Sequence, residues 1–469
     1  MLEPMKINMW KLLIAGLFAS AALAGCEDNR NNFMVDDSIS FLGTADDLQN
    51  IMTVSVYTEE YELPVVKNGK GLSEATAHIE VSETALRDYN TANGTDYTLL
   101  PSNCYEFTPS LHFGEKDIRK FVGLKWDSET VNALDPDITY VIPFELSGNG
   151  VPVAEGRNRI FLRLESATAS MTLTSNALAG SEYVFDGEIT LNMPVPGSEV
   201  TINYDVDCDQ NLVDAYNAAN GTAYKVIPQG TVTTEKIAKI AVDKVSAAFS
   251  CKIGIDKMTG LFAGQNNDYL IPVRITSTTD GVKFGETLYL PLAPAEFRGT
   301  KTAPWPILEG EDICYAKDPN RGSGAWIDNY VTSNLFNGAS TGGDSWIPWW
   351  ITPNVYPITI VGDMGKRQAI TKFRIEDTTD SQGAYLDYEI YLADEYDGEN
   401  TQWTLVASGM REWDGIYTPP GTVGAVKAYD YPVQKVTTGR YLKFVIVKCE
   451  SVALENRGKL GDVWCFGLE

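Results

Sequence analysis

One thirteen-residue segment occurs twice, about 127 residues apart, and nothing else in the chain constrains its fold as strongly. Tyr89-Asn90-Thr91-Ala92-Asn93-Gly94-Thr95-Asp96-Tyr97-Thr98-Leu99-Leu100-Pro101 agrees at eight of thirteen positions with Tyr216-Asn217-Ala218-Ala219-Asn220-Gly221-Thr222-Ala223-Tyr224-Lys225-Val226-Ile227-Pro228, where unrelated segments would agree at about one. Farther along each copy, Tyr140-Val141-Ile142-Pro143-Phe144 is answered by Tyr269-Leu270-Ile271-Pro272-Val273, so whole domains are duplicated. Each copy predicts one short helix: Ser82 and Asp209 stand where an N-cap belongs, and Gly94 and Gly221 where the helix stops. Leu86 with Tyr89, and Val213 with Tyr216, form the stripe that helix would bury. Runs at 77–81, 140–146, 160–164, 200–206, 252–255 and 270–275 are short, alternating and β-branched, bounded by Gly, Asn, Asp and Pro. That pattern predicts an all-β fold, two tandem immunoglobulin-like β-sandwiches over 37–167 and 168–297 with one short helix each.

A helix ending in Tyr-Asn-x-Ala-Asn-Gly-Thr, then Tyr-x-Leu/Ile-Leu/Ile-Pro, resembles the tandem N-terminal sandwich domains of Bacteroidetes lipoproteins encoded in glycan-utilisation loci. Some of those are surface glycan-binding proteins. The N-terminus agrees with export: Lys6 and Lys11 accompany the apolar run 12–24, too short to span a bilayer and of the length of a secretory signal. The run ends in Leu23-Ala24-Gly25-Cys26, which resembles the lipobox of bacterial lipoproteins. This implies a signal peptide over 1–25, acylation of Cys26 into outer-membrane lipid, and a tether over 26–36. Glu27 and Asp28 resemble the acidic signal that sends such lipoproteins to the cell exterior.

Composition narrows the partners. Asp and Glu number 63 against 37 Lys and Arg, a net charge of -26 that repels nucleic acid and anionic lipid headgroups. Only His78 and His112 exist, so the rest of the chain holds no His-based triad or His-ligated zinc. Cys104, Cys208, Cys251, Cys314, Cys449 and Cys465 form no C-x-x-C pair. They read as small core residues, with one disulfide open to the C-terminal third.

Residues 298–303 read as a linker to a third domain, 304–469, which holds eight of the ten tryptophans. Its segments 334–341 leading to Trp346, 358–365, 370–375, 386–394, 403–407, 439–447 and 460–467 together resemble the discoidin, or coagulation-factor C-domain, jelly roll. That group includes galactose-binding-like carbohydrate modules. In such modules the loops at one end of the sandwich meet sugar, with an aromatic face for the pyranose C–H patch and amides, carboxylates or guanidinium groups for its hydroxyls. The resemblance places Trp349, Trp350, Asp377, Gln382, Asn456 and Arg457 in those loops. Trp413 and Tyr417, in an additional loop ended by Pro419-Pro420, offer a second stacking surface or pin the loop itself. With no histidine in this domain, and Thr378 and Gln382 where relatives place an arginine and an asparagine, galactose specificity is not expected. Related folds hold structural calcium, which here implies Asn337, Thr341 and Asp462 as a weak set.

Lipid tether, two spacer sandwiches and a sugar-binding-like module imply a non-catalytic glycan-binding lipoprotein serving a Sus-like transporter complex. A surface adhesin or protein-docking lipoprotein is the alternative. A glycoside hydrolase would need two carboxylates about 5 to 10 Å apart, and no segment resembles a catalytic domain.

Overall fold

The computed structural model describes residues 37–42, 51–69, 73–135, 137–264, 267–279, 281–317, 331–338, 356–377, 385–412, 427–450 and 460–469. They form an all-β architecture with four short helices, in two compact units. One is built on the first repeat, with 192–198 and 280–283 joined to it; the other holds the second repeat and the C-terminal domain.

In the first repeat a four-stranded sheet, in the order Ser38–Phe41, Glu60–Asn68, Arg119–Trp126, Tyr105–Phe107, faces a second sheet. The second runs Ile51–Ser55, Arg159–Glu165, Tyr140–Asn149, Ala75–Val81, Ser110–Phe113. Alternate residues Leu63, Val65, Val122, Leu124, Ile142 and Phe144 fill the space between them. The second repeat follows this order, without a counterpart of Ile51–Ser55 among the described residues: Ala169–Ala179, Glu182–Leu191, Ser246–Gly254, Thr233–Thr234 in one sheet, and Thr287–Leu292, Tyr269–Thr278, Val200–Val206, Ile237–Ile240 in the other.

Each repeat carries two helices, not the one expected: α1 (Glu83–Asn93) and α2 (Ser128–Asn132), then α3 (Gln210–Asn220) and α4 (Ile255–Phe262). The short α2 is capped by Asp127 through Thr130 N, a signal lost among the chain's many acids. In α4, Ile255 continues the apolar alternation of the strand before it, which hides the switch of period.

The repeated motif proves to be a clasp that ends a helix. Ser82 and Asp209 cap α1 and α3, and Gly94 and Gly221 follow them at φ of 65° and 66°, where a side chain would be strained. Asn90 Nδ2 donates to Tyr97 O at 2.8 Å while its Oδ1 accepts from Thr95 Oγ1 and Tyr97 N. Asn217 repeats all three bonds with Tyr224 and Thr222. Asn217→Ala should therefore destabilise the chain by about 1–3 kcal/mol, because it removes three hydrogen bonds, two of them part-buried; denaturant unfolding that is unchanged would rule the clasp out as a source of stability.

The C-terminal domain is wound around two long antiparallel strands, Ile358–Glu376 and Ala428–Glu450. Register shifts between Asp363 and Gln368, and between Ile370 and Lys372, bend the first strand. Its first half then pairs with 441–446, and its second half with 428–439 and with Val463–Leu468. Tyr385–Ala393 and Thr404–Arg411 extend the sheet on one side, and Ala295–Phe297 on the other. Phe373, Ile390, Leu392, Phe444 and Ile446 are fully or almost fully buried inside it. The expected linker is flanked by this core on both sides: Trp305 is buried between Phe297 and Phe336, ring centroids 5.5 Å from each. At Gly299 a Cβ would lie 1.9 Å from Phe336 O, so only glycine fits there. Within this unit, Val436 N donates to Thr259 Oγ1 of α4 and Arg367 Nη1 to Gly180 O, joining the domain to the second repeat.

None of the six described cysteines is in a disulfide, five of them being buried and Cys208 partly so, so the disulfide left open for the C-terminal third is not formed. Cys314, Cys449 and Cys465 are instead core residues of separate strands and turns.

Candidate functional site

Backbone bonds gather one set of strand ends in the C-terminal domain. Glu376 N donates to Asp462 O and Gly461 N to Glu376 O, both at 2.8 Å; Asp377 N donates to Lys427 O at 2.9 Å. Gly338 N donates to Asp462 Oδ1 at 3.3 Å and Tyr356 Oη to Cys449 O at 2.8 Å. Tyr385 pairs with Glu450, and Leu386 with Arg411. Segments 339–355, 378–384, 413–426 and 451–459 therefore all begin and end at the same end of the sheet. These carry Thr341, Trp349 and Trp350, then Gln382, then Trp413 and Tyr417, then Asn456 and Arg457, all of which lie outside the described residues, as does Cys26.

Asp377 departs from the expectation that it meets sugar hydroxyls. It is fully buried, and its Oδ1 accepts from Arg411 Nη2 at 2.8 Å. The Arg411 guanidinium lies 4.2 Å above the Tyr429 ring and donates through Nη1 to Tyr431 Oη at 3.1 Å. Burial opposes its charge, and Asp377 together with Tyr431 and Cys449 more than offsets that, leaving its pKa raised. Burial also pushes the Tyr431 hydroxyl up to about 12. Asp377 is thus a root for the segments beside it. Sequence reading missed Arg411 because its partner is 34 residues away and only strand register brings the two together.

Asp462 is the second buried acid. Its Oδ1 accepts from Gly338 N, and its Oδ2 is buried with no hydrogen-bond partner. Burial pushes its carboxyl up to about 7, against the pull of the Gly338 amide and of Arg298. Asn337 lies next to Gly338 and donates through Nδ2 to Asn334 Oδ1 at 3.1 Å. An orphaned carboxylate oxygen fits a divalent cation, and Asp462 and Asn337 are the described residues that would hold calcium. Among the described residues no group of three or more His, Cys, Asp or Glu could hold a metal, so such an ion would lean on neutral oxygens and bind weakly.

A raised carboxyl pKa stabilises the fold fully below about 4 and loses that contribution as pH rises through about 7. In chelator, the melting temperature should fall across that window, and Asp462→Asn should flatten the fall and remove any rise that calcium gives the parent. Identical thermal scans for the two proteins would refute the assignment.

A family model described as "-like, N-terminal domain" matches twice, over residues 36–153 and 156–282, more than half of the chain. The chain belongs to this N-terminal-domain family. Each match covers most of one sheet pair, with Arg159–Glu165 of the first pair falling in the second match and Thr287–Leu292 of the second lying beyond it, so the duplication read from Tyr89–Pro101 and Tyr216–Pro228 extends well beyond those segments.

No curated protein matches the chain. Among solved structures, a SusE-like protein, BT2857, is 14% identical, covering 63% of this chain and 96% of its own, with a TM-score of 0.28. The C-terminal domain of a chitobiase from Bacteroides fragilis is 19% identical over 37% of this chain and 97% of its own, TM-score 0.25. CBM32-3 from a family 31 glycoside hydrolase of Clostridium perfringens is 16% identical over 29% and 81%, TM-score 0.23. Likeness at this level carries no argument about ligand or activity.

Proposed function

We propose that this chain is a non-catalytic, lipid-anchored protein of the cell exterior that captures oligo- or polysaccharide for a Sus-like uptake system. The glycan is held at the loop-bearing end of the C-terminal domain. One observation carries this reading: the described residues that flank four segments remote in sequence, which hold Trp349, Trp350, Gln382, Trp413, Tyr417, Asn456 and Arg457, are gathered at the same end of one sheet. Shallow sites of that kind gain little apolar burial, so affinity per site should be millimolar to micromolar. Acylation of Cys26 keeps the site at the membrane, and the two repeats serve as spacers.

The test is a glycan array probed with the mature chain, together with protease treatment of intact cells. Binding to at least one oligosaccharide without its turnover, and removal of the protein by protease, are the expected results. No bound glycan would favour the protein-docking alternative; survival of a protein that the protease cleaves once cells are broken would place it on an inner face.

A further inference from the structure

We propose that the first repeat carries a second sugar site, an open cleft of about 600 Å³ at the end of its four-stranded sheet, and that the ligand is a neutral oligosaccharide. The volume lies within the range of about 300–1,000 Å³ usual for small-ligand sites. Its walls are polar: Thr58, Glu60, Asn103, Glu106 and Lys125 are exposed, and Tyr105 is half-buried. Strand pairing sets Lys125 directly between Glu60 and Glu106, giving a row of carboxylate, ammonium and carboxylate in which hydroxyl donors and acceptors both find partners.

The floor is held rigid. Trp126 Nε1 donates to Val56 O at 2.6 Å and its backbone N to Glu59 O at 3.0 Å. Glu59 keeps the left-handed conformation, φ 58°, and its Oε1 accepts from Ser128 Oγ at 2.6 Å. A non-glycine residue in that region is strained and persists only where its surroundings fix it.

Duplication supplies an internal control. In the second repeat Lys252 stands where Lys125 stands in the first, but between Val184 and Thr233. At the spacing of the repeat, Tyr105 becomes Val232 and Trp126 becomes Ile253. The helix clasp is kept in both copies, whereas the aromatic and paired carboxylates of the cleft occur in one, so they are not demanded by the fold. The charge pattern selects the ligand. Glu59, Glu60, Glu106 and Asp127 surround a single lysine, which repels uronic acids and sulfated sugars. A metal ion is not the occupant, since among the described residues no cluster of three or more His, Cys, Asp or Glu could hold one.

The experiment probes an array of neutral, uronate-bearing and sulfated oligosaccharides with the mature chain, with its Trp349→Ala/Trp350→Ala variant, and with that variant further changed at Glu106→Gln or Tyr105→Ala. The tip variant should retain binding to a neutral oligosaccharide, and either cleft substitution should weaken that binding about tenfold, the loss of one charge-assisted hydrogen bond or one stacking contact. Glu106 is exposed, so Glu106→Gln remains informative where Tyr105→Ala fails to fold. Loss of all signal in the tip variant overturns the cleft and leaves the proposed function standing. Residual binding indifferent to both cleft substitutions, or confined to acidic glycans, also overturns it. No bound glycan in the parent chain overturns both.

Discussion

Replacing Trp349 or Trp350 by alanine should weaken glycan binding about five- to 150-fold, since one stacking aromatic contributes on the order of 1 to 3 kcal/mol through buried area and ring contact. Calorimetry with the mature chain and an oligosaccharide taken from the array measures it. The core of the C-terminal domain is supplied by strands such as Leu386, Ile390, Phe444 and Ile446, none of which lies in segment 339–355. Thermal stability should therefore stay near that of the parent while affinity falls. Unchanged affinity in both folded variants would move the site to the loop of Trp413 and Tyr417 or off this domain altogether. A fall in stability of the same size as the fall in binding would show that these rings pack the domain and do not face ligand.

The sequence was most legible where a structural unit is local. Ser82, Asn90 and Gly94 act within fourteen residues of one another, and their copy at Asp209, Asn217 and Gly221 repeats the clasp bond for bond, while the N-cap accepts from Ala85 N in the first copy and from Asn211 N in the second. Alternation also predicted the strands of the C-terminal domain, because each buries one face. It predicted them too short, since the bends at Asp363–Gln368 and Ile370–Lys372 let a single strand serve both arms of the sheet. What escaped was every feature made by pairing distant segments. Asp377 reads as a loop acid until register sets it beside Arg411. The cleft of the first repeat combines Glu60, Glu106 and Lys125 from three strands, and no spacing in the chain announces that row.

Arg411→Leu should have the largest effect on stability of any substitution near the tip. Removing the guanidinium takes the charged partner from a carboxylate that is itself fully buried, and breaking a buried pair from one side costs about 3–5 kcal/mol. The same change removes the ring contact with Tyr429 and the bond to Tyr431 Oη. Asp377 and Arg411 adjoin segments 378–384 and 413–426 and fix the ends of both, so glycan affinity should fall with stability although neither side chain touches sugar. The double variant Asp377→Leu/Arg411→Leu separates the two effects: with no charge left to bury, it should recover most of the lost stability in denaturant unfolding. A single variant within about 1 kcal/mol of the parent would mean that water or another charge reaches Asp377. A double variant no better than the single would mean that the pair is needed for its geometry, and binding should then be lost in both.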